Sequence, residues 1–483
     1  MKPDLLCRPQ RWRWPLAASA LVLLNACAML AKESPQLALI DPAQVRLEQA
    51  PPPAASEWPQ TQWWQQYGDA QLNSLMERAL QQAPLMAVVD QRLVASRANT
   101  ALQHASGGWS LNFGASLDRQ DVSANGFLAP YAHSGEGMTG PWYTEGSVGV
   151  SAEYRVDLWG KERAAVVAAL GVERARAAEA AQAQLQLTHR IALEYYAMQT
   201  EFARLALLQQ AQSCATALQA AHQARVARGI EAAGPWQLAQ VRDLELQKQV
   251  METTAALRMA RESLRALVGA GPADFPVLQV QVWPQRPAPV PSSLDYQLLT
   301  RRADLQAARW YVESALSQLE VRRAAFYPSF DIKAMLGLNA LHLDDLLHSS
   351  STQFNLVPGL SLPIFDSGRL NAALAGARGQ SNVLIAQYNQ AVIDAVRDVV
   401  TGQIALQNID QQLSLEQAKL TAVSYQLHSA QAYYERGVGD ELAVLEARLP
   451  VLAERSHLLE LRQRQITAAL NLIRALGGGY QAG

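Results

Sequence analysis

The sequence has almost no surplus of either charge. Against 41 Lys and Arg stand 43 Asp and Glu, a formal net charge of −2, so no field of one sign exists to hold nucleic acid. Cysteine is nearly absent as well. Cys7, Cys27 and Cys214 are the whole complement; no pair has metal-site spacing, and with the first two in or beside a targeting segment no disulfide framework remains. Long hydrophobic runs are also missing. No stretch approaches the ~20 apolar residues of a transmembrane helix, so any crossing of a membrane has to be made by β-strands. Catalytic signatures are lacking too. Ser367-Gly368 follows a strand and precedes a helix, but no Gly stands before the Ser as a nucleophile elbow requires. His342, Asp344, Asp345 and His348 lie together in a loop without recognised ligand spacing, and a hydrated loop tip accounts for them.

What is present begins with a targeting segment, residues 1–26. Lys2, Arg8, Arg11 and Arg13, diluted by Asp4, precede an apolar run from Pro15 to Leu24 that is too short to span a bilayer. Leu24-Asn25-Ala26-Cys27 resembles a bacterial lipobox, in which cleavage leaves Cys27 as a lipidated N-terminus. Asn25 is an unusual occupant of its position, and a plain cleavage site with an incidental Cys is the alternative. The absence of Asp after Cys27 fits sorting to the outer membrane. Residues 27–57, largely Pro- and Ala-rich and without periodicity, read as a tether.

From 58 onward, the chain alternates between two periodicities. Trp63-Trp64 and Leu72, Leu75, Met76 and Leu80 introduce a helix with Asp69 as its N-cap. Four segments then show strict alternation of apolar and polar residues, at about 109–118, 147–158, 329–338 and 354–364. A loop of roughly 27 residues rich in Gly, Pro and aromatics separates the first two; such loops are functional or exposed. Each strand pair is followed by a very long helical pattern. Residues 161–228 contain no Pro and carry Leu187, Ile191, Tyr195, Met198, Phe202, Leu205 and Leu208 at steps of three and four, on the order of 100 Å of helix. The pattern from Arg369 carries Tyr388, Val392, Val396, Val399, Ile404 and Leu413 in the same manner.

The plan occurs twice. Arg228-Gly229-Ile230 and Arg436-Gly437-Val438, 208 positions apart, reverse the two long helices, and Leu264-Arg265-Ala266-Leu267 and Ile473-Arg474-Ala475-Leu476 close them. This is an internal duplication. It gives a signal segment 1–26, a tether 27–57, a first repeat 58–271, a Pro-rich linker 272–291 and a second repeat 292–483. The strand-to-helix joints are themselves repeated. Trp159 and Gly160 stand at one, and Phe365 and Gly368 at the other. Four strands cannot close a membrane barrel, whose smallest members have about eight, so the fold is expected to be an α+β membrane protein that completes its barrel with further copies. The polar strand faces would line a lumen, and the long helices would prolong it. A soluble antiparallel sheet would show the same alternation.

Several stretches carry a specific resemblance. Trp63-Trp64-Gln65-Gln66-Tyr67-Gly68-Asp69, Asp157-Leu158-Trp159-Gly160-Lys161, Arg301-Arg302-Ala303-Asp304-Leu305 and Leu362-Pro363-Ile364-Phe365-Asp366-Ser367-Gly368-Arg369 are similar to the TolC-type outer membrane factors, in the NodT-like lipoprotein branch. Gly140-Pro141-Trp142-Tyr143-Thr144 and the closing Ala475-Leu476-Gly477-Gly478-Gly479-Tyr480 resemble the MdtQ-type multidrug-resistance members. The resemblance implies a homotrimer sharing a twelve-stranded barrel continuous with an α-helical periplasmic tunnel. It implies a periplasmic adaptor and an inner-membrane pump as partners, drugs or other small toxic compounds as cargo, no catalysis, and no cofactor beyond the lipid on Cys27. It places adaptor contacts at Arg228, Gly229, Arg436 and Gly437, although a helix end needs Gly for its own reasons. It aligns an acidic aperture pair with Ala443 and Glu446, so only Glu446 could serve. Rival expectations are a coiled-coil structural lipoprotein, a lipid-anchored periplasmic enzyme, and the same duct serving metal ions or a polypeptide.

Overall fold

The computed structural model describes residues 35–40, 58–121, 123, 125, 142–281 and 300–481. The expected signal segment and Cys27 therefore lie outside the described residues, as do most of the loop after the first strand and much of the linker. The chain divides into two compact units, which the two longest helices both enter.

The first unit comprises Met1–Ala38, Ala95–Arg174 and Trp310–Ala386. Its centre is one antiparallel sheet whose strands lie in chain order: β1 (Ser110–Asp121), β2 (Trp142–Val156), β3 (Ser329–Ala340) and β4 (Thr352–Ser361). Each repeat contributes a hairpin, and the hairpins are joined by the pairing of β2 with β3. The first hairpin extends further than alternation suggested. Arg119, Gln120 and Asp121 pair with Thr144, Tyr143 and Trp142, because the ladder is made by backbone groups and continues where apolar alternation stops. β4 ends earlier than expected. Leu362 and Ile364 fall outside it: Pro363 has no donor for the ladder, and the Asp366 carboxylate accepts from the N–H groups of Gly368 and Leu370.

Two helices meet in this unit. The first turns of α3 (Lys161–Ala227) meet α5 (Ala303–Ala324), and Ser314 Oγ donates to the Ala168 carbonyl at 2.7 Å. Gly171 makes the approach possible, since a Cβ there would sit 3.0 Å from that of Ser314. α2 (Pro84–Ser106) leads into β1.

The second unit, Leu39–Val94, Ala175–Arg309 and Gln387–Gly483, is helical. α1 (Ala70–Gln82) buries Leu72, Leu75 and Met76; α4 (Ala233–Val268) buries Leu264; α7 (Glu441–Ala475) buries Leu470, Leu472 and Ile473. The stripe read on α3 faces inward at Leu187, Ile191, Tyr195, Met198 and Leu208. That on α6 (Arg369–Glu435) does so at Tyr388, Val392 and Val399, whereas Ile404, assigned to the same stripe, is exposed. Asp69 caps α1, accepting from the N–H groups of Gln71 and Leu72 at 2.9 and 3.1 Å. The same carboxylate accepts from the Tyr195 hydroxyl at 2.7 Å, tying helix cap to core. Among the described residues, no helix is long and apolar enough to cross a membrane.

Candidate functional site

The register of the sheet decides the character of its two faces, because Cα partners in neighbouring strands project to the same side. One face carries Phe113, Val150, Leu336 and Phe354 in one cross-strand row and Leu111, Ala152, Ala334 and Leu356 in the next. Val156, Phe330 and Leu360 continue it towards the helical end. The opposite face carries Asn112, Ser151, Met335 and Asn355, then Ser116, Ser147 and Asn339, then Asp118 and Glu145. Four separate alternations thus fall into phase as one apolar and one polar surface. The apolar surface is bare: Phe113, Leu111 and Leu360 are each 70% exposed or more. A continuous exposed apolar face of this kind marks contact with lipid or another protein. β1 and β4 are its edge strands.

The polar face contains a glycine row, Gly114, Gly149 and Gly337. A Cβ on Gly337 would lie 2.6 Å from the Val148 carbonyl oxygen, and one on Gly149 would lie 2.8 Å from Gly337 Cα. β2 and β3 come so close on this side that only glycine fits.

At the end of β2, Asp157 accepts from the N–H groups of Glu162 and Arg163 at 3.2 and 3.0 Å and so caps α3. Asp366 caps α6 in the same way. Each Asp also faces an arginine, Arg163 at 3.5 Å and Arg369 at 3.9 Å. Gly160 and Gly368 take positive φ, 72° and 84°, where a side chain is strained. Trp159 stacks on Tyr327 with ring centroids 4.9 Å apart and donates from Nε1 to the Pro328 carbonyl at 2.8 Å. Phe365 is 87% exposed. Both aromatics lie in the turns between strand and helix. The capping role of the two aspartates was missed from sequence. An Asp just before a Gly-base pair that opens a helix was the available signal. Beside these turns a cleft of about 520 Å³ is lined by Glu153, Arg155, Asp157, Asp331, Lys333 and Arg369. Arg155 pairs with Glu162 at 3.4 Å and Lys333 with Asp331 at 3.8 Å.

The helix reversals are also alike. The N–H of Gly229 bonds to the Val226 carbonyl and that of Ile230 to Arg225; Gly437 and Val438 repeat this with Tyr434 and Tyr433. Gly229 and Gly437 both have φ of 71°, the left-handed closure of a Schellman motif. Ile230 and Val438 project at the two apices, 64% and 74% exposed, while Arg228 and Arg436 are exposed beside them. The apices are linked: Arg225 Nη1 reaches Asp440 at 2.8 Å, and Arg225 and His222 both contact Glu231. Glu446 and Ala443 are exposed on α7. In the loop between β3 and β4, His348 Nδ1 lies 3.3 Å from Asp345. No cluster of three or more metal-ligating side chains occurs among the described residues.

The family described as "Outer membrane efflux protein" matches residues 75–270 and 294–478, one segment per repeat. The chain belongs to this family. The chain is 43% identical over 462 residues to the multidrug resistance outer membrane protein MdtP of Escherichia coli O6:H1, covering 95% of both chains. It is 37% identical over 468 residues to MdtQ of the same strain, covering 95% of this chain and 97% of the relative. Both relatives extend the likeness noted from the motifs. Among solved structures, the outer membrane protein VceC of Vibrio cholerae superposes with a TM-score of 0.78 at 29% identity, covering 88% of this chain and 100% of that one. The CmeC outer membrane channel of Campylobacter jejuni gives 0.81 at 20% identity, covering 93% and 94%, and shows the shared fold.

Proposed function

We propose that the protein is the outer-membrane exit duct of a tripartite efflux system, conducting drugs or other toxic small molecules outward from a periplasmic adaptor and an inner-membrane pump. The observation that carries this is the phased sheet: one face apolar and bare, the other polar, with an unpaired edge at each side. In lipid such edges would cost several kcal/mol per unsatisfied group. Pairing β1 of one copy with β4 of the next removes them, and three copies give twelve strands. The polar rows would then line a lumen that the long helices extend into the periplasm. The duct supplies a path and no chemistry. In this reading a lipid on Cys27 anchors the chain, Trp159 and Phe365 mark the periplasmic membrane boundary, and the apices at Arg228-Gly229 and Arg436-Gly437 receive the adaptor. Glu446 stands as the acidic candidate at the aperture.

Two measurements test the reading. Purified protein in a planar bilayer should give ion conductance, as a spacer or an enzyme would not. Deleting the gene should sensitise the cell to some members of a drug and dye panel, whereas sensitisation to metal salts alone would reassign the cargo.

A further inference from the structure

Residues 35–40 have no regular secondary structure and run alongside α6. Leu37 and Leu39 are nearly half exposed, so apolar burial does little to hold them. What holds the segment is a polar row on the helix. Asn382 presents its carboxamide as a strand would present a peptide group: Oδ1 accepts from Leu37 N–H at 3.0 Å and Nδ2 donates to the Pro35 carbonyl at 3.2 Å. Asn389 Oδ1 accepts from Ile40 N–H at 2.8 Å. One turn earlier, Arg378 Nη1 donates to Gln36 Oε1 at 2.9 Å. The spacing has a geometric basis. Seven residues of helix rise about 10.5 Å, and three residues of extended chain span about 10 Å, so Asn382 and Asn389 meet Leu37 and Ile40 in register.

We propose that Asn382 and Asn389 form a rail that captures the chain's own N-terminal segment by its backbone, with Arg378 holding the Gln36 side chain beside it, and that the rail thereby fixes the length of the lipid leash. This rests on the lipid and membrane-boundary parts of the proposed function. Asn382 lies 13 residues into α6, about 20 Å from its start. Cys27 stands eight positions before Pro35, a stretch that reaches at most about 28 Å. A docked segment therefore leaves the lipid just enough chain to reach the level of the strand-to-helix joints.

Hydrogen exchange of the full-length protein in membranes, followed by mass spectrometry, tests this. The amides of Leu37 and Ile40 should exchange roughly tenfold more slowly than free chain, the protection of an ordinary hydrogen bond. Asn382→Ala with Asn389→Ala should abolish that protection while leaving the amides of α6 unchanged. Cys27→Ser should retain it, since the rail reads backbone. Deleting residues 30–33 cuts the leash to about 14 Å; protection should be lost, and Cys27→Ser in the same deletion should restore it. Equal exchange in the native protein and the double Asn variant would overturn the rail. Protection that survives the deletion in acylated protein would overturn the leash. Intact mass without an acyl group would instead refute the lipid reading and leave the rail standing.

Discussion

His189 shows what one buried titratable side chain costs a helical core. It is 6% exposed on α3, and its Nε2 lies 3.0 Å from Asn471 Oδ1 on α7. Burial, reinforced by the Arg474 charge, lowers its pKa from 6.5 to about 4, against the opposing hydrogen bond that the ring donates to Asn471 Oδ1. The imidazole is therefore neutral in the folded protein. As pH falls below 6.5 the unfolded chain takes up a proton that the folded one refuses until about 4, so stability is lost across this window, by up to about 3 kcal/mol. Thermal unfolding of the detergent-solubilised protein should show a steeper drop between pH 6.5 and 4.5 than His189→Gln does. Parallel curves for the two proteins would remove His189 from the account. Neighbouring tyrosines behave in the opposite sense. Burial first, and then the Asp69 carboxylate, raises Tyr195 and Tyr196 well above the usual phenol range, so both stay neutral hydroxyls at any physiological pH.

At the scale of elements, the glycine row separates two effects that sequence alone merges. Gly114, Gly149 and Gly337 occupy one cross-strand row, yet a Cβ at Gly114 meets nothing within 4 Å, while one at Gly337 meets the backbone of β2. Gly114→Ala should therefore be tolerated, and Gly337→Ala should push β2 and β3 apart at a cost of about 1–3 kcal/mol. The fraction of SDS-resistant oligomer on an unheated gel reads the difference. Equal behaviour of the two variants would mean that the close approach does not matter. The strands themselves were legible because alternation is a local signal, and so was the Asp69 cap. Two things were not. The junction of β2 with β3 joins residues far apart in the chain, and no short-range pattern encodes it. The end of β4 was misplaced because Leu362 and Ile364 keep the apolar alternation while Pro363 and the Asp366 cap have already diverted the backbone. The rail on α6 was hidden for a related reason. Asn382 and Asn389 look like ordinary solvated helix residues until the segment they hold is seen beside them.

For the whole molecule, the question is which face of the sheet meets lipid. A soluble protein would cover its apolar face with its own helices, but here Phe113, Leu336, Phe354 and Leu356 are all exposed. Phe113 and Asn112 are adjacent in β1 and project to opposite faces, so the same substitution at each compares the environments directly. An arginine near the middle of a lipid-facing strand costs about 2–4 kcal/mol, whereas lumen substitutions mainly tune selectivity. Phe113→Arg should therefore deplete the oligomer recovered from outer membranes. Asn112→Arg should leave its amount near normal and alter single-channel conductance or ion preference. The pair also distinguishes lipid from a protein covering. If the apolar face were instead buried against a soluble partner, Phe113→Arg protein would still be recovered in normal amount and would lose only that partner. If Asn112→Arg proved the more damaging of the two, the faces would be reversed and the polar rows could not line a lumen.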